Sequence, residues 1–411
     1  MRPGPENGAL LLLLTAALVA MVTRRLRVPY SVGLVAAGIG IALIPFLPQP
    51  GFSQEFIYTG LLPPLLFEGA FHLRWSRLRS ELPLVLALAG LGVVMSSALT
   101  AAGMHYLVHW SWVTALIFGT LIAATDPVAV LATFRETKVQ GRLRLLLESE
   151  SLFNDGTAAV AFGAAMALAR GQTPSLPGIA LSLLSTVGGA LIIGAAVAVV
   201  ALFLIGRTED HLVELTFTTV AAYGSFVIAE HAHGSGVVAT IVAGLIMGNR
   251  GPMGVLSDPG RQAVEAFWEY AAFAANSLVF LLIGTLVGHG QFVTYWGAAG
   301  AGILFVLLGR AVAVYPICGA FWKSRLRVGL RQQHGLFWGG LRGALALALA
   351  LGIPENMPER SAIITVSFAV VAFSNFVQGL TITPLLRRLG ELSPSAPAAP
   401  IVIGASSEDE A

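Results

Sequence analysis

Residues 114–134 read TALIFGTLIAATDPVAVLATF, an apolar run interrupted at its middle by Thr125-Asp126-Pro127. The run has roughly the 20 residues that a helix needs to cross bilayer hydrocarbon, yet it sets an acid and a proline at mid-depth. Proline removes a helical hydrogen bond and disfavours α geometry in the residue before it, here Asp126. The helix is therefore expected to break there, leaving backbone amides and carbonyls free beside a carboxylate. A plain proline kink is one reading. The adjacent Thr125 and Asp126 favour another, an ion site, because the exposed backbone of a broken membrane helix can coordinate a cation.

The rest of the chain places this run among many like it. Of the 411 residues, 56% are hydrophobic and 11% charged, and the mean hydropathy is +0.79. A soluble domain carries about 25% charged residues. This composition cannot cover a water-facing surface, which excludes a soluble enzyme and a nucleic-acid binder. The single Cys318 excludes an internal disulfide or a multi-cysteine metal site. Thirteen apolar segments lie near 8–23, 28–47, 54–73, 82–106, 110–134, 146–169, 177–206, 212–231, 235–249, 262–288, 293–322, 333–353 and 360–386. They are continuous rather than alternating, so they read as helices and not as barrel strands. The fold class is an all-α polytopic membrane protein.

Charge supports the count. If the chain crosses at each segment, 19 of its 24 Lys and Arg fall on one side, from Arg24, Arg25 and Arg27 through to Arg387 and Arg388. Only Arg2, Arg170 and Arg360 fall on the other, and Arg310 and Arg342 lie inside spans. Positive loops stay cytoplasmic, so the N-terminus is expected outside and the C-terminus inside a plasma (inner) membrane. The basic cluster follows the first apolar stretch instead of preceding it, so that stretch reads as a span and not as a cleaved signal. Residues 1–390 form the membrane domain. Residues 391–411, ending Glu408-Asp409-Glu410-Ala411, are expected to be a short disordered cytoplasmic tail without a regulatory domain.

Ionisable residues in the bilayer core are costly, at least about 2.5–3.5 kcal/mol each on insertion scales. The set here is Glu68, Asp126, Glu150, Asp155, Arg310 and Arg342, with Glu230 nearer the outer edge. One such residue can be a packing ion pair; the group at one depth points to a pathway. In segment six, Glu150-Ser151-Leu152-Phe153-Asn154-Asp155-Gly156, Ser151 and Asp155 share one helix face, as do Glu150 and Asn154. Asp155 and Ser151 opposite Thr125 and Asp126 make an oxygen-lined site suited to a hard monovalent cation. Two close carboxylates resist simultaneous ionisation, so such a site can hold either a proton or a cation. Segment twelve contains Gly339-Gly340-Leu341-Arg342-Gly343-Ala344, whose glycines either admit close helix packing or weaken the helix around its buried charge. Segments five and twelve are seven apart, and an odd offset inverts orientation. Six spans, a linker and six more suit inverted-topology repeats with a broken, crossing helix in each half.

Three runs together, Thr125-Asp126-Pro127-Val128-Ala129-Val130, Glu150 to Gly156, and Gly340-Leu341-Arg342-Gly343-Ala344, resemble the sodium/proton exchanger family of monovalent cation–proton antiporters. Leu62-Pro63-Pro64-Leu65-Leu66-Phe67-Glu68 and Arg310-Ala311-Val312 add to the match, which extends over nearly the whole chain. The resemblance implies a homodimer in which core helices, about 82–169 and 293–386, move against dimerisation and scaffold helices, about 8–73 and 177–288. It implies that Asp155 binds the proton and Na⁺, that Asp126, Thr125 and Ser151 complete the Na⁺ site, that Asn154 supports it, and that Glu68 lies near it. It also implies a structural Glu150–Arg310 ion pair, and Arg342 at the helix crossing offsetting helix-terminus dipoles. Asn154-Asp155 stands where the electrogenic branch has two adjacent aspartates, which implies electroneutral one-for-one exchange.

The expected function is antiport of Na⁺, or Li⁺ or K⁺, for protons by alternating access, with no cofactor beyond the transported ions. A K⁺-selective K⁺/H⁺ antiporter on the same scaffold is the alternative. A channel lacks its Thr-Val-Gly-Tyr-Gly filter. An intramembrane enzyme is disfavoured by the absence of His-Glu-x-x-His and Gly-x-Ser-x-Gly. The eight histidines sit mostly at span ends, and His231 and His233 beside Glu230 can carry a modulatory pH role.

Overall fold

A computed structural model describes residues 5–26, 28–44, 55–126, 141–171, 176–250, 256–288 and 292–391. Pro127 and the second half of segment five, Arg135, Lys138, His289 and the tail from residue 392 lie outside the described residues. Every one of the thirteen expected segments contains helix, and no strand occurs among the described residues. In chain order they are α1 (Pro5–Leu26), α2 (Tyr30–Ala42), α3 (Leu62–His72), α4 (Trp75–Val108) and α5 (Trp112–Leu121). Next come α6 (Arg142–Ala169), α7 (Leu176–Ile205), α8 (His211–His231), α9 (Gly236–Arg250), α10 (Asp258–Gly288) and α11 (Phe292–Ala320). The last two are α12, split into α12a (Leu330–Trp338) and α12b (Ala344–Leu351), and α13 (Arg360–Leu389). Seven of the described helices are long and apolar enough to cross a bilayer, and α2, α5 and α9 are shorter apolar helices.

Local departures from α geometry have readable causes. The start of α3 holds Pro63 and Pro64, which lack an N–H and whose rings crowd the carbonyls four residues earlier. The chain widens into a π turn there, Phe56–Leu61, and the Gly60 carbonyl that Pro64 cannot bond accepts the Tyr223 hydroxyl at 3.0 Å. A second π turn, Ala87–Leu91, lies within α4. Its Ala89 carbonyl accepts the Thr157 hydroxyl of α6 at 2.5 Å. In hydrocarbon no water can take up such groups, so other side chains must.

The pairing of helices carries the inverted repeat. α2 packs against α10, and α9 against α3; shifting each partner by seven spans turns one pair into the other. The two contacts are built alike. A Cβ at Gly38 of α2 would strike the Leu281 carbonyl of α10, and one at Gly248 of α9 would strike the Phe71 carbonyl of α3. Both pairs thus meet backbone to backbone, as small residues allow in membranes. α4 and α11, also seven apart, pack on each other. Arg142 at the start of α6 fastens the neighbouring ends, bonding Glu81 of α4 at 2.7 and 2.9 Å and the Leu326 and Arg327 carbonyls after α11.

A smaller apolar core joins α3, α7, α8, α9 and α10 around Phe67 and Trp268. It contains a buried acid absent from the sequence-based set of intramembrane charges. Glu214 of α8 is 0% exposed and accepts the Ser257 N–H at 3.2 Å, at the entry to α10. Its position near a span end hid it among interface residues. The carboxylate supplies an acceptor to the positive end of a long helix. Glu214→Ala should therefore lower stability by about 1–3 kcal/mol through an orphaned amide, read as a lower melting temperature in detergent. A smaller loss is expected for Glu214→Gln.

Candidate functional site

α5 stops at Leu121, and Ala124–Asp126 run on without helical bonds. Ala123 lies four residues before Pro127, whose missing N–H leaves the Ala123 carbonyl without a helical partner. A side chain from the far half of the protein takes up the freed groups. Arg342 donates to the Ala123 and Ala124 carbonyls, which the interrupted helix leaves free. The Asp126 N–H then donates to the Leu341 carbonyl at 2.7 Å, so the two interrupted helices bond to each other where they cross.

The α12 interruption follows from its sequence. α12a ends at Trp338, α12b begins at Ala344, and Gly343 between them adopts φ −156°, ψ −135°. A side chain at Gly343 would collide with the Asp126 carboxylate, so glycine here lets the acid approach the α12b backbone. The close-packing and helix-weakening readings of these glycines therefore both hold at one crossing.

α6 passes this crossing unbroken and presents a polar face to it. The Thr125 hydroxyl lies 2.8 Å from that of Ser151. Asn154 Nδ2 donates to Thr125 Oγ1 at 2.6 Å and to Glu150 Oε1 at 3.0 Å, while Asn154 Oδ1 accepts the Thr125 N–H at 3.2 Å. One amide thus fixes the Thr125 backbone and side chain together. Glu150, 1% exposed, takes a forked pair of bonds from Arg310 at 2.7 and 2.9 Å, and Arg310 also donates to the Leu336 carbonyl at 2.9 Å. That geometry saturates the Glu150 carboxylate.

Asp155 differs. It is buried, and its Oδ1 has no hydrogen-bond partner among the described residues. With Thr125, Asp126, Leu152 and Gly343 it lines a cavity of about 30 Å³, whose other walls come from α3 and the start of α12b. A space of that size holds a water or a small ion. It has two carboxylates beside it and apolar walls elsewhere, an environment that selects for something small and positive.

Asp155, Asp126 and Thr125 therefore share one cavity, and Ser151 and Asn154 buttress Thr125. Glu150 and Arg310 form the expected pair, and Arg342 sits at the crossing. Glu68 does not line this cavity; its carboxylate lies 3.4 Å from His72 Nδ1, one turn along α3. Glu230 takes the Gly236 N–H at 2.8 Å, at the start of α9, and the Tyr58 hydroxyl at 3.2 Å. Sequence reasoning missed Ser374, Asn375 and Gln378 of α13, all buried and all bonded to the α12 interruption. The available signal was the pair of amide side chains in the span, Asn375 and Gln378, clustered with Ser374.

The family model described as "Sodium/hydrogen exchanger, transmembrane" matches residues 10–388. The Na⁺/H⁺ antiporter ApNhaP of Aphanothece halophytica is 37% identical over 373 residues, spanning 89% of this chain and 70% of the relative. The Na⁺/H⁺ antiporter NhaH of Halobacillus aidingensis is 34% identical over 395 residues, spanning 93% and 97%. Among solved structures, the sodium proton antiporter MjNhaP1 from Methanocaldococcus jannaschii superposes with a TM-score of 0.77 at 19% identity, over 94% of this chain and 98% of that one, and so shares its fold. The chain belongs to the sodium/hydrogen exchanger family, whose members among these relatives are membrane transporters and not enzymes.

Proposed function

We propose that the chain exchanges Na⁺ for protons across the membrane at a single site centred on Asp155. The observation that carries this is the contrast between two buried carboxylates of α6. Glu150 is saturated by Arg310, whereas Asp155 keeps an unpartnered oxygen facing a cavity of ionic size. A buried carboxylate without a permanent counter-charge must hold either a proton or a cation. Asp126 and Thr125 supply further oxygens, Ser151 and Asn154 orient Thr125, and Arg342 binds the α5 carbonyl end beside them. The transported Na⁺ is cargo, and no resident cofactor takes part.

Two features support electroneutral, one-for-one exchange. The position before Asp155 is Asn154, whose amide has a fixed structural task, and the other acid of the α6 polar face is locked in an ion pair. One titrating group then carries one charge in each direction. Alternating access follows if α4, α5, α6, α11, α12 and α13 move as a core against α1–α3 and α7–α10. The one-sided basic loops support an orientation with the N-terminus outside and the C-terminus cytoplasmic, and the family resemblance implies a dimer of such units in a plasma membrane.

In proteoliposomes, Asp155→Asn should abolish Na⁺-driven proton movement followed with a pH dye, while the variant still folds. Exchange persisting in that variant would sink the proposal. Stepping Na⁺, Li⁺ and K⁺ across the same vesicles separates the sodium reading from K⁺/H⁺ antiport. Competition at one carboxylate also sets the pH profile. Rates should fall at acid pH, where Asp155 stays protonated, and again at strongly alkaline pH, where protons are scarce; raising Na⁺ should move the acid limb to lower pH. The Glu150–Arg310 pair should behave differently. Glu150→Gln strands a buried guanidinium, at a cost of about 3–5 kcal/mol in stability, and the double variant Glu150→Leu, Arg310→Met should recover most of it. Thermal melting of the three proteins measures this directly.

A further inference from the structure

The α12 interruption leaves backbone groups that no helix ladder satisfies, and α13 supplies most of their partners. The Ser374 hydroxyl accepts the Arg342 N–H at 3.0 Å. Asn375 Nδ2 donates to the Arg342 carbonyl at 3.3 Å and to Val371 of its own helix at 2.9 Å. Gln378 Nε2 donates to the Trp338 carbonyl, in the last turn of α12a, at 3.2 Å. All three side chains come from one π turn, Ser374–Gln378, set into α13. Ser374 and Asn375 are 0% exposed and Gln378 4%. Polar side chains at that depth need a partner to offset burial, and here the partners are the two peptide groups flanking Arg342 and the end of α12a.

From Arg342 two short routes reach the candidate site. Its guanidinium donates to the Ala123 and Ala124 carbonyls, immediately before Thr125. The next residue, Gly343, lies against the Asp126 carboxylate. The α13 turn touches neither Asp155 nor the cavity around it. Any influence it has on a bound ion therefore passes through the α12 interruption, at the Arg342 backbone or at the end of α12a.

We propose that Ser374, Asn375 and Gln378 are positioning residues for cation binding: the polar π turn of α13 holds the Arg342 segment in register with the α5 break and so tunes the affinity and selectivity of the site. This rests on the exchange reading above. It adds that α13, which contributes no atom to the cavity, sets the cavity's dimensions. Losing the Ser374 hydroxyl frees a buried peptide N–H and lets the Arg342 segment shift, and the Thr125–Asp126 oxygens shift with it. A change of that kind alters how well ions of different radius fit, more than it alters how fast the core moves.

The test uses full-length protein in proteoliposomes with Ser374→Ala, Asn375→Ala, Gln378→Leu and the hydroxyl-retaining Ser374→Thr. The apparent KM for Na⁺ should rise roughly three- to tenfold in Ser374→Ala and Asn375→Ala, the scale of one lost buried hydrogen bond. Vmax per folded protein should change little, and the Li⁺-to-Na⁺ ratio of KM should move. Gln378→Leu, which loses only the Trp338 contact, should shift KM the same way by less, and Ser374→Thr should restore it. A merely structural role predicts the opposite split, with lower melting temperature and Vmax but wild-type KM and ion ratio, and that result would overturn the proposal. If the alanine variants do not fold, Gln378→Leu decides, and an unchanged KM there counts against it. Amide hydrogen exchange at Arg342 gives a readout independent of transport: it should accelerate in Ser374→Ala, and unchanged protection there would also overturn the proposal. Wild-type vesicles that moved no protons with any cation would instead remove the exchange reading, leaving the Arg342 amide to decide the positioning.

Discussion

Two helices interrupted inside a membrane create a shortage of hydrogen-bond partners, and the side chain and backbone of Arg342 meet much of it. Exposed carbonyls cannot turn to water in hydrocarbon, so a broken helix survives only where protein groups complete it. Arg342 brings several donors on one rigid fork, and it delivers them to the carbonyl end of α5. A positive charge at a helix C-terminus also meets the negative end of the helix dipole. The same residue is held at its own backbone by α13, and its neighbour Leu341 accepts from Asp126. The crossing is thus a mutual repair, with each interruption supplying what the other lacks.

The carboxylates can then be ranked by what they lack. Glu214, Glu230 and Glu150 each accept a bond from a helix entry or an arginine. Asn154 connects Glu150 to Thr125, so the ion pair indirectly braces the cavity wall. Asp155 Oδ1 and Glu214 Oε2 both lack a hydrogen-bond partner among the described residues, and of these two acids it is Asp155 that lines the cavity at the crossing. Burial alone would not distinguish it, since Glu150 is more deeply enclosed.

Much of this was legible in the sequence, for reasons tied to particular residues. The apolar runs and the one-sided arginines follow from bilayer thickness and charge, so they read directly. Ser151 and Asp155 on one face, and Glu150 and Asn154 on another, follow from helical spacing. The end of α5 read only in part: Pro127 marks it by leaving the Ala123 carbonyl free, but Arg342, which completes that carbonyl, lies 219 residues away in sequence. Glu214 was passed over because its partner, the entry to α10, is 43 residues away. Ser374, Asn375 and Gln378 were invisible for the same reason: their significance lies in peptide groups of another span. Local physics is encoded locally, and the completion of broken helices is not.

The inverted repeat sharpens the point. α2 on α10 and α9 on α3 are near copies of one contact, backbone against backbone through small residues. α5 and α12 occupy corresponding places but have diverged in charge: one carries Thr125 and Asp126, the other Arg342 between glycines. Two acidic interruptions facing each other would repel, and two basic ones would leave no cation site. With one of each, the Arg342 charge is engaged by α5 carbonyls and stays with the crossing. On the exchange reading, that leaves Asp155 as the group whose occupancy changes during a cycle. A fixed cation at the crossing and a variable one at Asp155 is the arrangement that lets a proton and a Na⁺ replace each other without altering the charge of the moving unit.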